Sequence, residues 1–321
     1  MNALLEIRDL SVRFDVGDAE LTAVRELSLD VAEGECLGVV GESGAGKSQT
    51  FLAALGLLAE NARAEGSVLY RGREILKAPR RELDTLRGRR IAMVFQDPLS
   101  GLTSTLRIGR QLEESARRHL GMNARQARGK ALEMLETVRL PDPEHCLDLY
   151  PFELSGGMRQ RVMIALGMIC RPDLLIADEP TTALDVTIQA QILGLLAELR
   201  RDANTSVVLI THDLAVAAGL CDRILIMYNG RPVESGTTRE VFTAPKHPYT
   251  KGLLASLPSL ATDPAIDLTA IPGQPPDALV TPRGCAFAER CEHVMDRCIS
   301  ERPLLGGTRG RHAAACHLLS P

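Results

Sequence analysis

One short stretch near the N-terminus constrains the fold more than any other part of the sequence. Gly41 to Ser48 read Gly-Glu-Ser-Gly-Ala-Gly-Lys-Ser, which fits the phosphate-loop pattern, between an apolar run and a helical pattern. The glycines let the backbone curl so that its N–H groups converge on phosphate oxygens, and the helix that follows points its positive end at the same charge. The sequence therefore predicts a loop that cradles phosphate groups.

All residues of this loop are candidate nucleotide contacts, namely Gly41, Glu42, Ser43, Gly44, Ala45, Gly46, Lys47, Ser48 and the adjoining Gln49. Lys47 would supply a mobile cation to the β and γ phosphates, and Ser48 would supply a hydroxyl ligand to Mg²⁺. The pattern alone fits kinases, GTPases and many ATPases, and a plain glycine-rich turn is the alternative. Other motifs must decide among these classes.

Apolar runs of strand length recur along the chain, at Leu37 to Val40, Ile91 to Phe95, Leu174 to Ala177, Val207 to Ile210 and Ile224 to Met227. Helix-length segments lie between several of them, which favours an α/β fold with a parallel sheet covered on both faces. The first 35 residues alternate apolar and polar side chains instead, as at Leu10, Val12 and Phe14. This alternation predicts an antiparallel, half-exposed sheet at the N-terminus.

Residues 97 to 160 have amphipathic helical patterns at Ile108 to His119 and Ala124 to Val138 and no clear strand, which predicts a helical insertion. Six of the 18 prolines lie between Pro258 and Pro282, as in a linker or an extended segment. We therefore expect a nucleotide-binding domain over 1–257, with its insertion at about 97–160, and a proline-rich linker with a cysteine-rich extension over 258–321, called here the C-terminal tail.

Charge and hydropathy exclude some function classes. The chain has 37 basic and 41 acidic residues and a net charge of -4, which argues against a dedicated nucleic-acid binder. No apolar stretch approaches the roughly 20 residues needed to span a bilayer, and the N-terminus lacks the pattern of a secretory signal. We expect a cytoplasmic protein whose eight cysteines are reduced unless they hold a metal.

The run Leu174 to Glu179 is an apolar strand that ends in two acids. A buried strand of this kind delivers carboxylates to the phosphate end of a sheet. Asp178 would hold Mg²⁺ through water, and Glu179 would accept a proton from the attacking water. The alternative, a strand that ends at a solvated acidic turn, is made improbable by Pro180 and by the phosphate loop upstream.

Leu154 to Gln160 read Leu-Ser-Gly-Gly-Met-Arg-Gln, with two glycines at a predicted helix start, where they expose N–H groups for an anion. Gln96, Asp185 and His212 follow in a specific order relative to the strands. Together these motifs resemble those of ABC ATPases over roughly residues 4 to 260. The resemblance implies a P-loop NTPase fold of the ABC type, with a RecA-like parallel-sheet core, an N-terminal antiparallel β subdomain and an inserted helical subdomain.

The resemblance also implies that two such subunits sandwich ATP between one chain's phosphate loop and the other chain's signature motif. The residues that would act on this chain's own ATP are Gly41 to Ser48, Gln96, Asp178, Glu179 and His212. Of these, Ser48, Gln96 and Asp178 would lie around Mg²⁺. The residues that would act on the partner's ATP are Ser155, Gly156, Gly157, Met158 and Asp185. Met158 stands where many ABC proteins carry glutamine, so its thioether would contribute packing rather than a donated hydrogen bond.

His212 would contact the γ phosphate and help to hold the attacking water. Phe14 is the candidate for stacking on adenine, with a core aromatic as the alternative.

Several stretches, among them Ser155 to Ala165, Ala177 to Thr187 and His247 to Thr250, resemble the dipeptide and oligopeptide importer branch. The implied partners are a second ABC ATPase in a heterodimer, two transmembrane permease subunits and an extracytoplasmic substrate-binding protein, at the cytoplasmic face of the inner membrane. Nickel complexes and glutathione are alternative substrates. A non-transport ABC ATPase should show a coiled-coil insertion, tandem cassettes or basic surfaces, and exporters usually carry fused membrane helices.

The tail contains Cys285, Cys291, Cys298 and Cys316, with 5, 6 and 17 residues between successive cysteines. This spacing resembles a 4Fe-4S site in the C-terminal extension of such importer ATPases. On chemistry alone, four thiolates could equally bind Zn²⁺, although structural zinc sites more often use tighter pairs. Free structural thiols are the remaining alternative. His312 and His317 are expected to have no part in the site.

Overall fold

The computed structural model describes residues 3–182, 184–257, 271–276, 279–306 and 312–319, without the side chain of Leu99. Its strands are β1 (Ala3–Val16), β2 (Ala19–Ala32), β3 (Cys36–Val40), β4 (Ala62–Tyr70), β5 (Arg73–Glu74), β6 (Ile91–Val94), β7 (Leu174–Asp178), β8 (Ser206–Thr211), β9 (Arg223–Tyr228), β10 (Arg231–Thr237) and β11 (Ala313–Ala314). Its helices are α1 (Lys47–Ala54), α2 (Arg80–Leu86), α3 (Pro98–Gly101), α4 (Ile108–Leu120), α5 (Ala124–Thr137), α6 (Pro143–Asp148), α7 (Gly156–Met168), α8 (Val186–Ala203), α9 (Leu214–Leu220), α10 (Thr238–Thr243), α11 (Pro248–Ala255) and α12 (Asp296–Ser300).

The chain divides into two compact units. The first contains the described residues of Met1–Ala32, Cys36–Ala78 and Ile210–Pro321, and the second contains those of Glu33–Glu35 and Pro79–Leu209. Among the described helices, none combines the length and the apolar character needed to cross a bilayer.

The first unit contains an antiparallel sheet in the order β2-β1-β4-β5. Val12 lies opposite Val24 of β2 and is fully buried, as the alternating pattern predicts for a sheet with one covered face. β4 has no clear strand pattern in its sequence, because it carries polar side chains on its open face. There the guanidinium of Arg13 donates to the carboxylate of Glu65 at 2.8 Å.

The same unit contains β3 and β9, which pair in parallel, and β10, which pairs antiparallel with β9 and with the short β11. Every residue of β3 and β9 is buried, as continuous apolar runs predict. β10 was not predicted because its sequence is largely polar. Its Glu234 is fully buried and accepts hydrogen bonds from the backbone N–H groups of Lys246 and His247, each at 2.8 Å.

The second unit contains the parallel pair β6 and β7, with β7 between β6 and β8. The described backbone between β6 and β7 forms helices and no strand, and α4 and α5 coincide with the two predicted helical patterns. Asn123 begins α5 with a capping box in which its side chain accepts from the N–H of Gln126 at 3.0 Å. All five residues of β7 are buried, so the acid at its end is fixed in place by the strand.

Candidate nucleotide-binding site

The phosphate loop follows β3 and leads into α1, as its sequence context predicts. A Cβ on Gly41 would lie 2.2 Å from the carbonyl oxygen of Met227, so β9 leaves no room for a side chain there. Gly46, at the N-cap of α1, has a φ of +88°, and a Cβ on it would lie 2.2 Å from the carbonyl oxygen of Ala23. Both positions require glycine because neighbouring backbone cannot move aside.

The ammonium of Lys47 lies inside the loop. Its Nζ donates to the carbonyl oxygens of Gly41 at 2.7 Å and Glu42 at 2.9 Å, and the residue is only 5% exposed. Ser43 and Gly44 are exposed, while Ser48 and Gln49 are half-buried on the first turn of α1. The loop therefore combines a fixed cation and a helix N-terminus, the arrangement that attracts phosphate.

His212 and Phe14 are also in the first unit. His212 follows β8 with an exposed side chain, and the next residue, Asp213, caps α9 by accepting from the N–H of Ala215 at 2.7 Å. Phe14 is a half-buried residue of β1 rather than a core residue, so the description as a core aromatic does not fit. Its exposed part is available for stacking.

In the second unit, Glu179 follows the buried β7 with a left-handed backbone, at a φ of +45°. Its Oε2 accepts from Gln96 Nε2 at 2.9 Å and from Thr182 Oγ1 at 2.8 Å. Asp178, one residue earlier, is 5% exposed. The fold thus brings together Gln96 and Glu179, which are far apart in sequence, and it adds Thr182, which no sequence motif had singled out.

The signature residues and Asp185 lie at two helix starts of the second unit. Ser155 caps α7, its hydroxyl accepting from the N–H of Met158 at 3.3 Å, and Asp185 caps α8, accepting from the N–H of Ile188 at 2.9 Å. A Cβ on Gly157 would lie 3.0 Å from the Ile188 side chain, so the start of α7 packs closely on that of α8. The signature therefore presents backbone N–H groups at a capped helix N-terminus.

The four tail cysteines line one small cavity of the first unit, and His317 is among the other lining residues. Cys298 lies in α12, and its carbonyl oxygen accepts from the N–H of Cys285 at 2.8 Å. Burial raises the pKa of the Cys285 thiol to about 11, and the neighbouring thiols act in the same direction. The part of the chain that the structure describes contains no group of three or more His, Cys, Asp or Glu side chains that could hold a metal ion.

Comparisons with known proteins point to one family. The family model described as ABC transporter matches residues 24–182, and the model described as Oligopeptide/dipeptide transporter, C-terminal region, matches residues 233–298. The chain is 52% identical over 310 residues to the oligopeptide transport ATP-binding protein OppD of Salmonella typhimurium, covering 97% of this chain and 92% of that protein. It is 47% identical over 300 residues to the dipeptide transport ATP-binding protein DppD of Bacillus subtilis, covering 93% and 89%.

Solved structures give the same result. The dimeric structure of MJ0796, a bacterial ABC transporter cassette, matches with a TM-score of 0.66 and 28% identity, over 73% of this chain and 99% of that one. A post-hydrolysis dimer of the same cassette, bound to ADP and Pi, matches equally well.

Proposed function

This chain belongs to the ABC transporter family, among the ATP-binding proteins of oligopeptide and dipeptide transport, and on that premise we propose that it powers the import of peptides. It has the P-loop NTPase fold of an ABC ATPase, and it is an ATP-hydrolysing transport enzyme. The observation that carries the peptide assignment is the match of residues 233–298 to the C-terminal region of oligopeptide and dipeptide transporters. Nickel complexes and glutathione are the alternative substrates.

In the proposed mechanism, Lys47 and the loop N–H groups hold the β and γ phosphates of this chain's ATP, and His212 contacts the γ phosphate. Mg²⁺ would neutralise developing charge on the phosphates, and the residues that would hold it are Ser48, Gln96 and Asp178. Glu179 accepts the proton of the attacking water. Its carboxylate is already oriented, because hydrogen bonds from Gln96 and Thr182 fix one oxygen.

The proposed assembly is a heterodimer with a second ABC ATPase, beneath two permease subunits at the cytoplasmic face of the inner membrane, with an extracytoplasmic substrate-binding protein. In it, the N-terminus of α7 at Ser155 to Gly157, together with Met158 and Asp185, acts on the partner's ATP. The support is that Ser155 and Asp185 each cap a helix, which orders the N–H groups beside them.

For the tail we propose a 4Fe-4S cluster held by Cys285, Cys291, Cys298 and Cys316. The support is that the four thiols line one small cavity, and Zn²⁺, whose structural sites more often use tighter cysteine pairs, is the alternative. Anaerobic purification is expected to yield a brown protein with iron and acid-labile sulfide, and Cys298→Ser should lose both. A colourless protein with one zinc per chain would contradict the cluster.

The test of the function is reconstitution of the chain with its permease subunits, second ATPase and binding protein in vesicles. Oligopeptides are expected to stimulate ATP hydrolysis and to accumulate inside the vesicles. Dipeptides, nickel complexes and glutathione are assayed in parallel as other candidate substrates. Stimulation by nickel complexes or glutathione alone would overturn the peptide assignment. The same vesicles without the binding protein serve as the control for uncoupled hydrolysis.

A further inference from the structure

An arginine of the C-terminal tail contacts the phosphate loop. Arg290 lies 248 residues after Glu42 and is only 8% exposed. Its Nη1 donates to Glu42 Oε2 at 2.9 Å, and its Nη2 donates to Glu42 Oε1 at 3.1 Å. Two parallel hydrogen bonds between ionised groups fix the geometry of the pair as well as stabilising it.

The remaining N–H groups of the guanidinium are also used. Nη1 donates to the hydroxyl of Tyr228 at 3.1 Å, Nε to the carbonyl oxygen of Pro272 at 2.9 Å and Nη2 to that of Ile271 at 3.4 Å. A guanidinium has five N–H donors in a rigid fork, so Arg290 has a partner for each of them. Its position is therefore fixed by β9 and the tail together.

Glu42 is also held through its backbone. Its N–H donates to the hydroxyl of Tyr249 at 3.0 Å, and Tyr249 is fully buried in the His-Pro-Tyr-Thr segment at the start of α11. Phe287 of the tail packs against the rings of Tyr228 and Tyr249, with centroid separations of 5.3 and 5.4 Å. The nucleotide motifs make no use of these aromatic residues, yet they and Arg290 hold the second residue of the phosphate loop.

The charge of Glu42 gives this arrangement a consequence for ATP. A carboxylate on the second residue of a loop that receives a triphosphate opposes binding through like-charge repulsion. Arg290 cancels that charge and keeps the carboxylate turned toward the tail. We propose that Arg290 is a positioning residue for the ATPase reaction, which neutralises and orients Glu42 so that the C-terminal tail sets the affinity of the phosphate loop for ATP.

The test is isothermal titration calorimetry of the full chain with MgATP. Arg290→Met, which keeps length and removes charge, is expected to raise Kd about tenfold, because an uncompensated carboxylate remains beside the loop. In the assembled transporter the same variant should raise KM for ATP while kcat stays within about twofold. Arg297→Met is the matched control, since Arg297 pairs with Glu301 on the exposed surface of the same tail and should leave Kd unchanged.

The double variant Glu42→Gln/Arg290→Met separates charge neutralisation from packing. It lacks the uncompensated charge and is expected to return Kd to within about threefold of wild type. An unchanged Kd in Arg290→Met would overturn the proposal, as would a double variant as weak as the single one. If Arg290→Met unfolds at the temperature of the assay, Glu42→Gln alone tests the proposal. The guanidinium of Arg290 then lacks its carboxylate partner and should tighten MgATP binding by about threefold or more. An unchanged or weaker affinity would refute the proposal.

Discussion

Glu179 combines an unusual backbone with a fixed carboxylate. A left-handed φ of +45° on a residue with a long side chain costs on the order of 1–3 kcal/mol, and such strain persists where the surrounding structure determines it. Here the preceding strand is buried, and Gln96 and Thr182 both donate to one carboxylate oxygen. The two hydrogen bonds fix the direction in which the proposed base points.

Glu179→Gln is expected to leave MgATP binding intact and to lower hydrolysis by roughly 100-fold or more, because an amide cannot accept the proton. ATP turnover of the assembled transporter and calorimetric binding to the chain check the two halves of this prediction. Unchanged turnover would remove Glu179 from the role of base.

Thr182→Val removes only the hydroxyl that donates to Glu179, and we expect hydrolysis to fall by about 3- to 10-fold through loss of one orienting hydrogen bond. Thr182→Ser restores the donor and serves as the control. Equal turnover in the serine and valine variants would show that orientation by residue 182 does not matter.

At the scale of elements, the phosphate loop depends on how closely β2 and β9 approach it. Gly44 and Gly46 both have positive φ, at +79° and +88°, but only Gly46 meets neighbouring backbone, that of Ala23 in β2. The two glycines therefore separate the cost of a left-handed backbone from the cost of a steric clash.

Gly44→Ala is expected to reduce the free energy of unfolding by about 1 kcal/mol, the cost of φ alone, since its Cβ would point into open space. Gly46→Ala should reduce it by more than about 3 kcal/mol, because the β2 carbonyl must also move. Urea denaturation of the two variants measures the difference. Equal losses would mean that the loop adapts freely to β2.

At the scale of the whole molecule, the proposed nucleotide-binding residues are divided between two ATP molecules. The loop, Gln96, Asp178, Glu179 and His212 are proposed for this chain's own ATP. The signature at the start of α7 and Asp185 are proposed for the partner's ATP.

This division predicts different defects from two substitutions in the same chain. Lys47→Ala should weaken MgATP binding to the isolated chain by tenfold or more, on the order expected for a lost charge-assisted bond. Ser155→Arg should leave that affinity unchanged but lower turnover once the partner ATPase is added. If Ser155→Arg weakens binding to the isolated chain as Lys47→Ala does, the signature acts on this chain's own nucleotide.

The sequence alone determined the parts of this protein that depend on local pattern. Continuous apolar runs located β3, β6, β7, β8 and β9 to within a residue or so, because full burial on both faces requires unbroken apolar sequence. The phosphate loop was found the same way, since its glycines and its lysine are adjacent in the chain. The apolar pattern does not reveal β4, because polar residues lie on its open face. It does not reveal β10 either, because the buried Glu234 interrupts the apolar run.

Only the tertiary structure decided which distant side chains meet. The resemblance assigned Gln96 and Glu179 to the same ATP, and the structure adds their hydrogen bond. No motif or periodicity links Glu42 to Arg290, which lies 248 residues later. Such contacts depend on the path of the backbone through the fold, whereas hydrophobic spacing records only whether a residue is buried. For this reason the chemistry of the phosphate loop could be predicted from its own residues, while the arginine that neutralises its carboxylate could not.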